Sequence, residues 1–470
     1  MKASIVQKDD SLQEAVEVSQ TFFVAPDGDD RGDGTMEHPF ATIERAIQAA
    51  EANGRGGGDQ ILLREGTYYP AGPLMLNEKG TPQRWSRLAA WDGERTVIDG
   101  HRIPDAEDGP QSMIYVHGSY YELSGLELVS SRKSAISLYG EHVRVIGNVI
   151  HDSMGGAVYA DPRQAAFLFF AGNVVHHNCL SNQKRNMPSG WPSAVNLTHR
   201  RDIVVDNLIY ENYGEGIGAY GASHYIAGND LHDNFGVEIY LSNVNDTIVQ
   251  SNFIHSDGNE RYFRDWNLKE DPQAPPPFPF FAPSEAIGMA NENPNDTQFA
   301  HNRVIDNIIA GPHLRGLSWW NGTRRSGGMQ SSLIAHNTVV PEAEAVFHLD
   351  DNHHVGTMIV DNIFIQLRPD RRLTDFHGVK GIEFSHNLLF GGDGSSGPAG
   401  DGSGPGDVRT DPRLIDPRGR RACDFALRPD SPAIDAGTPV GVHLDYFGNP
   451  RPFGPRYDIG AHEWSKDTEG

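Results

Sequence analysis

Residues 207–241 read NLIYENYGEGIGAYGASHYIAGNDLHDNFGVEIYL and contain the pattern that decides the fold. The stretch holds two copies of one unit, in which an asparagine is followed by two or three apolar residues, a polar turn and a short apolar strand. Copies of this unit along the chain begin at Asn148, Asn173, Asn207, Asn229, Asn252, Asn307, Asn337, Asn362 and Asn387. Five of the eight gaps between these asparagines are 22 to 25 residues long, and the gaps of 34 and 55 residues predict insertions.

A repeat of this length predicts a solenoid. One such unit cannot bury its apolar face alone, so neighbouring units must stack and share a continuous core. The asparagine side chains would then form hydrogen bonds from coil to coil, as stacked amides do in cross-β assemblies. We therefore expect an all-β fold, a right-handed single-stranded parallel β-helix, in which the asparagines are structural.

Both ends of such a solenoid need a cover, because open strand edges pair with other chains. In residues 39–54, PFATIERAIQAAEANG, the spacing of Ile43, Ala46, Ile47 and Ala50 predicts an amphipathic capping helix that stops at Gly54. The expected organisation is an N-terminal tail at 1–20, an entry strand and capping helix at 21–56, the β-helix at 57–405 with insertions at 178–193 and 256–284, and a C-terminal cap at 406–470.

Composition excludes several classes of function. The chain has 470 residues, and its 39 Lys and Arg against 63 Asp and Glu give a net charge of -24, which repels nucleic acid. No apolar run approaches the length of a membrane helix, so we expect no membrane span. Its two cysteines, Cys179 and Cys423, are far apart and predict neither a disulfide framework nor a cysteine zinc site.

The N-terminus bears on localisation. Its sequence, MKASIVQKDDSLQEAVEVSQ, lacks the apolar segment of a signal peptide. We therefore expect either a cytoplasmic protein or an exported one whose signal has been removed. The sequence leaves the oligomeric state open.

Segments near both ends of the chain carry a family resemblance. Residues 22–50 (FFVAPDGDDRGDGTMEHPFATIERAIQAA) and 58–69 (GDQILLREGTYY) resemble the opening of bacterial right-handed parallel β-helix repeat proteins, which include pectate-lyase-like carbohydrate-active enzymes. The tail motifs DFALRPDSPAIDAGTPV, DYFGNPRP and YDIGAHEW resemble the C-terminal segment of the same group. The resemblance implies the architecture strongly and the chemistry weakly, because the group contains lyases, epimerases and hydrolases.

Alternation along seven aligned strands predicts which side chains face outward from the coils. The residues predicted to face inward are Val158, Val195, Ile217, Ile239, Ile287, Leu317 and Val346. Those predicted to face outward are Tyr159, Asn196, Gly218, Tyr240, Gly288, Ser318 and Phe347, preceded two positions earlier by Ala157, Ala194, Gly216, Glu238, Ala286, Gly316 and Ala345. Glu238 is the charged member of a column of alanine and glycine, which makes it a candidate functional residue.

Glu215 and Glu285 stand at the turns before the strands on either side of the Glu238 strand. Adjacent coils stack about 4.8 Å apart, so we expect the three glutamates to form one carboxylate cluster. Close carboxyl groups suit a glycoside hydrolase, since like charges raise the pKa of one group and let it act as an acid. We interpret Glu238 as nucleophile or base, Glu215 as general acid and Glu285 as a supporting carboxylate, with the roles open to exchange. This chemistry requires no cofactor; calcium binding and a solvated acidic row are the alternative interpretations.

The insertions supply aromatic residues that suit a sugar-binding cleft. Both leave the coils just before an aligned strand, so their loops are expected to wall a cleft around Glu215 and Glu238. Flat aromatic rings pack against the C–H face of sugars. The residues predicted to bind substrate are Trp191, Tyr240, Trp266, Trp320, Arg200, Lys184 and His224.

These patterns favour a glycoside hydrolase that acts on a neutral or weakly charged poly- or oligosaccharide. The alternative is a polysaccharide lyase or C5-epimerase acting on a uronic-acid polymer with calcium, for which His199 is the best candidate base and Arg200 or Lys184 the cation. A third interpretation is a solenoid that binds glycans without catalysis.

Overall fold

The computed structural model describes residues 17–161, 166–185, 191–198, 200–265, 281–293, 298–320, 327–350, 353–377, 379–393 and 404–466. The chain divides into two compact units, the first within residues 6–214 and the second within residues 215–470. Within its described residues, each unit has parallel strands that recur in groups of three, one strand for each of three sheets. This is the coil of a parallel β-helix, so the predicted fold class is confirmed. Over the described ranges, none of the helices has the length and apolar character of a membrane span.

The first unit begins with an entry strand and a helix. Helix α1 spans Ile43–Ala52, and short 3-10 helices span Gly100–Arg102 and Leu180–Asn182. The described strands are β1 (Gln20–Val24), β2 (Asp59–Leu63), β3 (Gly66–Tyr68), β4 (Leu74–Leu76), β5 (Ser86–Ala90), β6 (Thr96–Asp99), β7 (Ile114–Val116), β8 (Tyr121–Ser124), β9 (Leu126–Val129), β10 (Ile136–Leu138), β11 (Glu141–Ile146), β12 (Val149–His151), β13 (Val158–Ala160), β14 (Ala166–Ala171), β15 (Val174–His176), β16 (Ser193–Leu197), β17 (Ile203–Val205) and β18 (Leu208–Tyr210). They pair in the orders β1-β2-β5-β8-β11-β14-β17, β4-β7-β10-β13-β16 and β3-β6-β9-β12-β15-β18.

The second unit continues the same alternation of strands. Its described strands are β19 (Glu215–Ala222), β20 (Tyr225–Ala227), β21 (Asp230–His232), β22 (Val237–Asn245), β23 (Ile248–Gln250), β24 (Phe253–His255), β25 (Arg264–Asp265), β26 (Phe281–Ala282), β27 (Glu285–Ala290), β28 (Arg303–Ile305), β29 (Ile308–Pro312), β30 (Arg315–Trp320), β31 (Leu333–Ala335), β32 (Thr338–Glu342), β33 (Ala345–Asp350), β34 (Thr357–Val360), β35 (Ile363–Gln366), β36 (Arg372–His377), β37 (Ile382–Ser385) and β38 (Leu388–Gly391). The three parallel orders are β19-β22-β27-β30-β33-β36, β20-β23-β28-β31-β34-β37 and β21-β24-β29-β32-β35-β38. Strands β25 and β26 form an antiparallel ribbon within the predicted insertion at 256–284, and short 3-10 helices span Glu260–Tyr262 and Ala422–Phe425.

The asparagine column forms the predicted ladder in each unit. In the first unit, Asn148 Nδ2 donates to Asn173 Oδ1 at 3.1 Å, and Asn173 Nδ2 donates to Asn207 Oδ1 at 3.0 Å. In the second unit, the ladder runs with donor–acceptor distances of 2.9 to 3.0 Å through Asn229, Asn252, Asn307, Asn337, Asn362 and Asn387. These amides are buried, and each bond fixes the register of one coil on the next. The structural role predicted for them is confirmed.

The predicted helix is also confirmed. Residues Ile43, Ala46, Ile47 and Ala50 form its buried face, and the Thr42 side chain accepts a hydrogen bond from the Arg45 N–H as the N-cap. The helix ends at Ala52, and Gly54 follows with a φ of +67°. A positive φ is costly for residues with a Cβ, which explains glycine at the stop.

The C-terminal segment covers the side of a sheet in the second unit. Its apolar residues pack on outward side chains of the sheet β21-β24-β29-β32-β35-β38. The resulting buried cluster includes Ile308, Val340, Ile363 and Leu388 from the sheet, and Phe425, Leu427, Tyr446 and Ile459 from the C-terminal segment. Arg451 is fully buried and pairs with Asp306 at 3.1 Å and Glu463 at 2.9 Å. The segment is therefore tied to the coils by apolar contacts and buried charge. The exact domain boundaries stay a prediction.

Candidate active site

Glu238 lies inside the second unit rather than on its outer face. Its carboxyl group accepts hydrogen bonds from the Asn234 backbone N–H at 3.0 Å, from Asn234 Nδ2 at 2.6 Å and from the Ser284 hydroxyl at 2.8 Å. Burial raises the pKa of Glu238 to about 8, although the hydrogen bonds from Asn234 and Ser284 act to lower it. The expectation that Glu238 faces outward is therefore wrong. Its catalytic role stays a prediction, and complete burial argues against contact with a substrate.

The chain turns a corner at the start of these strands, which is why the alternation fails there. Glu238 and Ile239 are consecutive and both are fully buried. On β19, a Cβ built at Gly216 would lie 3.1 Å from Leu231 Cδ2, and on β30 a Cβ at Gly316 would lie 2.6 Å from Val339 Cγ1. Leu231 and Val339 are core side chains, so this register position points inward.

A second prediction about facing is wrong at β33. In the structure Leu317 pairs with Phe347, whereas the alignment of the chain's own strands paired Leu317 with Val346. Phe347 is fully buried, and its ring lies 5.8 Å from the Phe364 ring. The aromatic residue therefore fills the core, and the outward position of that coil belongs to His348, which pairs with Ser318.

Glu285 directs its carboxylate toward the outer face of the sheet, where Ser318 contacts it. It begins β27 and pairs with Val237 of β22. Its Oε1 lies 3.8 Å from Arg264 Nη1 and 3.7 Å from Arg315 Nη1, and its Oε2 accepts a hydrogen bond from the Ser318 hydroxyl. Burial acts to raise the pKa of Glu285, but the two guanidinium groups and Ser318 outweigh it and lower the pKa. Glu285 is therefore ionised at neutral pH.

Arg264 is held in place by the backbone as well as by Glu285. Its side chain is 2% exposed, and its Nε donates to the Gly236 carbonyl oxygen at 3.1 Å, together with Nη2. The residue begins the antiparallel ribbon β25–β26, so the predicted insertion delivers this cation to Glu285.

Glu215 lies on the same face as Glu285. It begins β19 two residues before Ile217, which pairs with Ile239, and Ile239 pairs in turn with Ile287. Burial raises the pKa of Tyr220, and the Glu215 and Glu292 carboxylates raise it further. Burial likewise raises the pKa of Tyr240, with Glu292 and Glu215 adding to the effect. The Glu215 carboxylate is therefore near enough to both tyrosines to raise the pKa of each.

Gly288 makes room for the side chains around it. A Cβ at this position would lie 3.2 Å from Tyr240 Cδ2 and 3.5 Å from Glu285 Oε2. Because Gly288 has no side chain, the Tyr240 ring and the Glu285 carboxylate can approach one another over its backbone. Trp320, which ends β30 and is 38% exposed, adds an accessible aromatic surface.

The other predicted residues are distributed as follows. Trp191 is half-buried, and Lys184 and Arg200 are exposed; all three belong to the first unit. His199 and Trp266 lie outside the described residues. His224 is buried, and its Nε2 lies 2.7 Å from the Tyr220 carbonyl oxygen, so it stabilises the turn that follows β19.

Sequence reasoning missed Arg315 beside Glu285 and a cluster of histidines beyond it. Arg315 pairs with Ala345 one coil further on, and His348 pairs with Asp375. The sequence did contain a signal for this cluster. Strands β30 and β33 are offset by 30 residues, and this offset puts Ser318 and His348 in one outward column. Among the described residues, two groups have the geometry to hold a metal ion: His348, Asp375 and His377, and His232, Asp233 and Asp257.

Comparison with known proteins agrees with this architecture. Residues 22–236 match the family model for the Pel9A-like right-handed β-helix region. Pectate lyase PEL9 of Emericella nidulans is 30% identical over 135 residues, which are 27% of this chain and 30% of that protein. The uncharacterized protein YwoF of Bacillus subtilis is 31% identical over 139 residues, 27% of this chain and 28% of that protein. The chain thus spans less than a third of the length of these relatives.

Two solved structures are similar over nearly their whole length. The crystal structure of pectate lyase Pel9A has a TM-score of 0.54 and 15% identity, covering 96% of this chain and 98% of that one. The complex of XylC with xylose has a TM-score of 0.56 and 12% identity, covering 95% and 98%. Identity this low shows a shared fold alone. The resemblance to pectate-lyase-like β-helix proteins is confirmed over residues 22–236, the part of the chain that matches the Pel9A-like right-handed β-helix region.

Proposed function

We propose that this protein is a carbohydrate-active enzyme that hydrolyses a glycosidic bond in a poly- or oligosaccharide. The observation that carries the proposal is the placement of Glu215 and Glu285 at one register position on the outer face, with β22 between their strands. Two strand spacings separate their Cα atoms by about 10 Å. Carboxyl groups roughly 6.5–9.5 Å apart suit an inverting hydrolase, whereas roughly 5–5.5 Å suits a retaining one. Because the Cα atoms are two strands apart, we expect the longer carboxyl separation of an inverting enzyme.

In this proposal Glu285 is the general base. Arg264 and Arg315 keep its carboxylate ionised, so it can accept a proton from water while the water oxygen bonds to the anomeric carbon. Glu215 donates a proton to the leaving oxygen as the bond from the anomeric carbon to that oxygen breaks. The reaction needs no cofactor. The sequence pattern suggested Glu238 as the nucleophile or base; we now assign the role of general base to Glu285.

The proposed substrate is neutral or weakly charged. A net charge of -24 disfavours a polyanion, and Tyr240 and Trp320 offer aromatic surface on the outer face for the C–H face of a sugar. Of the other predicted substrate residues, Trp191, Lys184 and Arg200 stay predictions.

A second candidate function is a polysaccharide lyase acting on a uronic-acid polymer. The 30% identity with pectate lyase PEL9 over 135 residues favours it. Elimination would require a cation against the uronate carboxylate and a base for the C5 proton. Arg264 and Arg315 are candidate cations, although Glu285 already partners both.

One assay separates these functions. The purified protein is incubated with a panel of neutral glycans and polyuronates, and both released reducing ends and the ultraviolet absorbance of unsaturated uronates are followed. Hydrolysis gives reducing ends without that absorbance, and the product anomer, read by NMR, reports inversion. Reducing ends accompanied by the absorbance would instead indicate the lyase. Binding without either signal would indicate a glycan-binding solenoid and contradict both enzymes.

A further inference from the structure

We propose that His348, His377 and Asp375 form a binding site for a divalent transition-metal ion, such as Zn²⁺ or Mn²⁺, on the outer face of β33 and β36. These strands are neighbours, and register pairs His348 with Asp375 and Asp350 with His377. The proposal is independent of whether the protein is a hydrolase or a lyase.

The three side chains converge through their nitrogen and oxygen atoms. Asp375 Oδ2 lies 2.9 Å from His348 Nδ1, and Asp375 Oδ1 lies 3.3 Å from His377 Nε2. Ligand atoms that each lie about 2.0–2.1 Å from a tetrahedral zinc ion are about 3.3 Å from one another. The side chains therefore need only small shifts to surround an ion.

Asp350 supplies the support that metal-binding imidazoles require. Its Oδ1 lies 3.4 Å from His348 Nε2 and 3.2 Å from His377 Nδ1, the nitrogens that face away from Asp375. A histidine bound to a metal almost always donates its other N–H to a carboxylate, carbonyl or water, which fixes the tautomer and the ring orientation. Here the Asp350 carboxylate contacts both imidazole rings. Two independent surface salt bridges would not need to share one carboxylate in this way.

The donor set selects the class of ion. Two imidazole nitrogens and one carboxylate suit zinc, manganese or iron, whereas calcium takes six to eight oxygen ligands. The His348 side chain is 6% exposed and that of His377 is 54% exposed, so the site is anchored on one side and open to water on the other. Arg372 also contacts Asp375, but its side chain is 59% exposed, so an ion would compete with a largely solvated guanidinium group.

The second histidine group in this unit is less suited to an ion. Asp233 Oδ1 accepts from the Ser256 hydroxyl at 2.8 Å, and its Oδ2 accepts from the Asp257 N–H at 3.2 Å. Asp257 in turn pairs with Arg420 at 3.1 Å. The protein's own donors already occupy these carboxylates, so we assign the ion to the His348 group.

The test is metal binding by the full chain, prepared without a histidine tag and stripped with a chelator. Isothermal titration with Zn²⁺ and Mn²⁺ is expected to show one ion per chain for at least one of them, and much weaker binding of Ca²⁺. His377→Gln is expected to abolish stoichiometric binding. The matched control is His301→Gln, which should bind the ion as the wild type does; in the part of the chain that the structure describes, His301 pairs with one carboxylate, that of Asp246, at 3.5 Å.

Asp350→Asn tests the supporting role separately. It leaves all three proposed ligands in place and should weaken binding about 10- to 100-fold, as loss of an outer partner typically does. Absence of a stoichiometric ion from the wild type would overturn the proposal. The proposal would also be overturned if folded His377→Gln bound the ion as the wild type does. A third contradicting result would be loss of binding in His232→Gln while His377→Gln still binds.

Discussion

Glu238 and Glu285 lie on adjacent strands of one sheet, both are almost completely buried, and their pKa values move in opposite directions. Glu238 faces the interior, where its partners are the neutral groups of Asn234 and Ser284, and burial raises its pKa to about 8. Glu285 faces outward between Arg264 and Arg315, which lower its pKa. Burial penalises the charged form in both places, so the charge of the partners decides which carboxyl group ionises.

The contrast separates a structural carboxyl group from a candidate catalytic one. A buried carboxyl group that accepts hydrogen bonds from Asn234 and Ser284 holds a turn in place. An ionised carboxylate on the outer face, kept charged by two guanidinium groups, can accept a proton from a substrate or from water. Four predictions test this distinction.

The largest effect is expected from Glu285→Gln. It removes the proposed base, so the rate of glycan hydrolysis should fall about 10²- to 10⁴-fold, measured as released reducing ends. Circular dichroism checks that the variant remains folded. The matched control is Glu342→Gln, an exposed carboxylate paired with Arg418 at 3.0 Å, which should keep full activity. A folded Glu285→Gln enzyme with the wild-type rate would refute the assignment.

The next largest effect is expected from Arg264→Met. This change removes a buried counter-charge of Glu285 and a donor to the Gly236 carbonyl, so the free energy of unfolding in urea should fall by about 3 kcal/mol or more. In a Glu285→Gln background the same change should cost at least about 1 kcal/mol less, because the two residues act as a pair. Equal costs in the two backgrounds would show that they are not coupled.

Glu238→Gln should change how stability depends on pH. Between the ordinary pKa of 4.5 and the folded pKa of about 8, the folded protein keeps a proton that the unfolded chain has lost. The free energy of unfolding of the wild type should therefore fall as pH rises through this window, by up to about 1.4 kcal/mol per pH unit from this group. The variant lacks this contribution. Urea unfolding of both proteins at several pH values should show the variant gaining relative stability; parallel pH profiles would contradict the raised pKa.

The smallest effects come from two glycines, one beside each glutamate. A Cβ at Gly216 would lie 2.5 Å from the Glu238 carbonyl oxygen, a backbone atom, so Gly216→Ala should lower the free energy of unfolding by about 1–3 kcal/mol. At Gly288 the nearest atoms are side-chain atoms at 3.2 Å, so Gly288→Ala should cost less than about 1 kcal/mol and act mainly on substrate affinity. Thermal unfolding of the two variants checks the order, and the reverse order would show that the interior corner is the looser of the two regions.

Features that depend on spacing along the chain could be predicted from the sequence. The asparagine ladder follows from the period alone, since each Asn must meet its counterpart one coil away. The helix at Ile43–Ala52 follows from the spacing of Ile43, Ala46, Ile47 and Ala50. Both are local or repeating patterns, and the structure confirms both.

Features that depend on the direction of a side chain at a corner could not be predicted in the same way. Strict alternation would place Glu238 outside, but the backbone bends at that position and turns two successive side chains inward. The one-residue error at Phe347 has a similar origin, because the length of the preceding turn sets the register. Arg264 reaches Glu285 from a ribbon in an insertion, where no repeat predicts its position.

The sequence by itself determined the architecture of this protein: the coil period, the column of asparagines and the starting helix. Residues one period apart in the chain become neighbours when the coils stack, so a repeat in the sequence directly predicts a contact. The tertiary structure alone decided which carboxylates are charged and which way they face. Those properties depend on backbone curvature and on charged partners brought from distant parts of the chain, and neither is written in the local pattern around a glutamate.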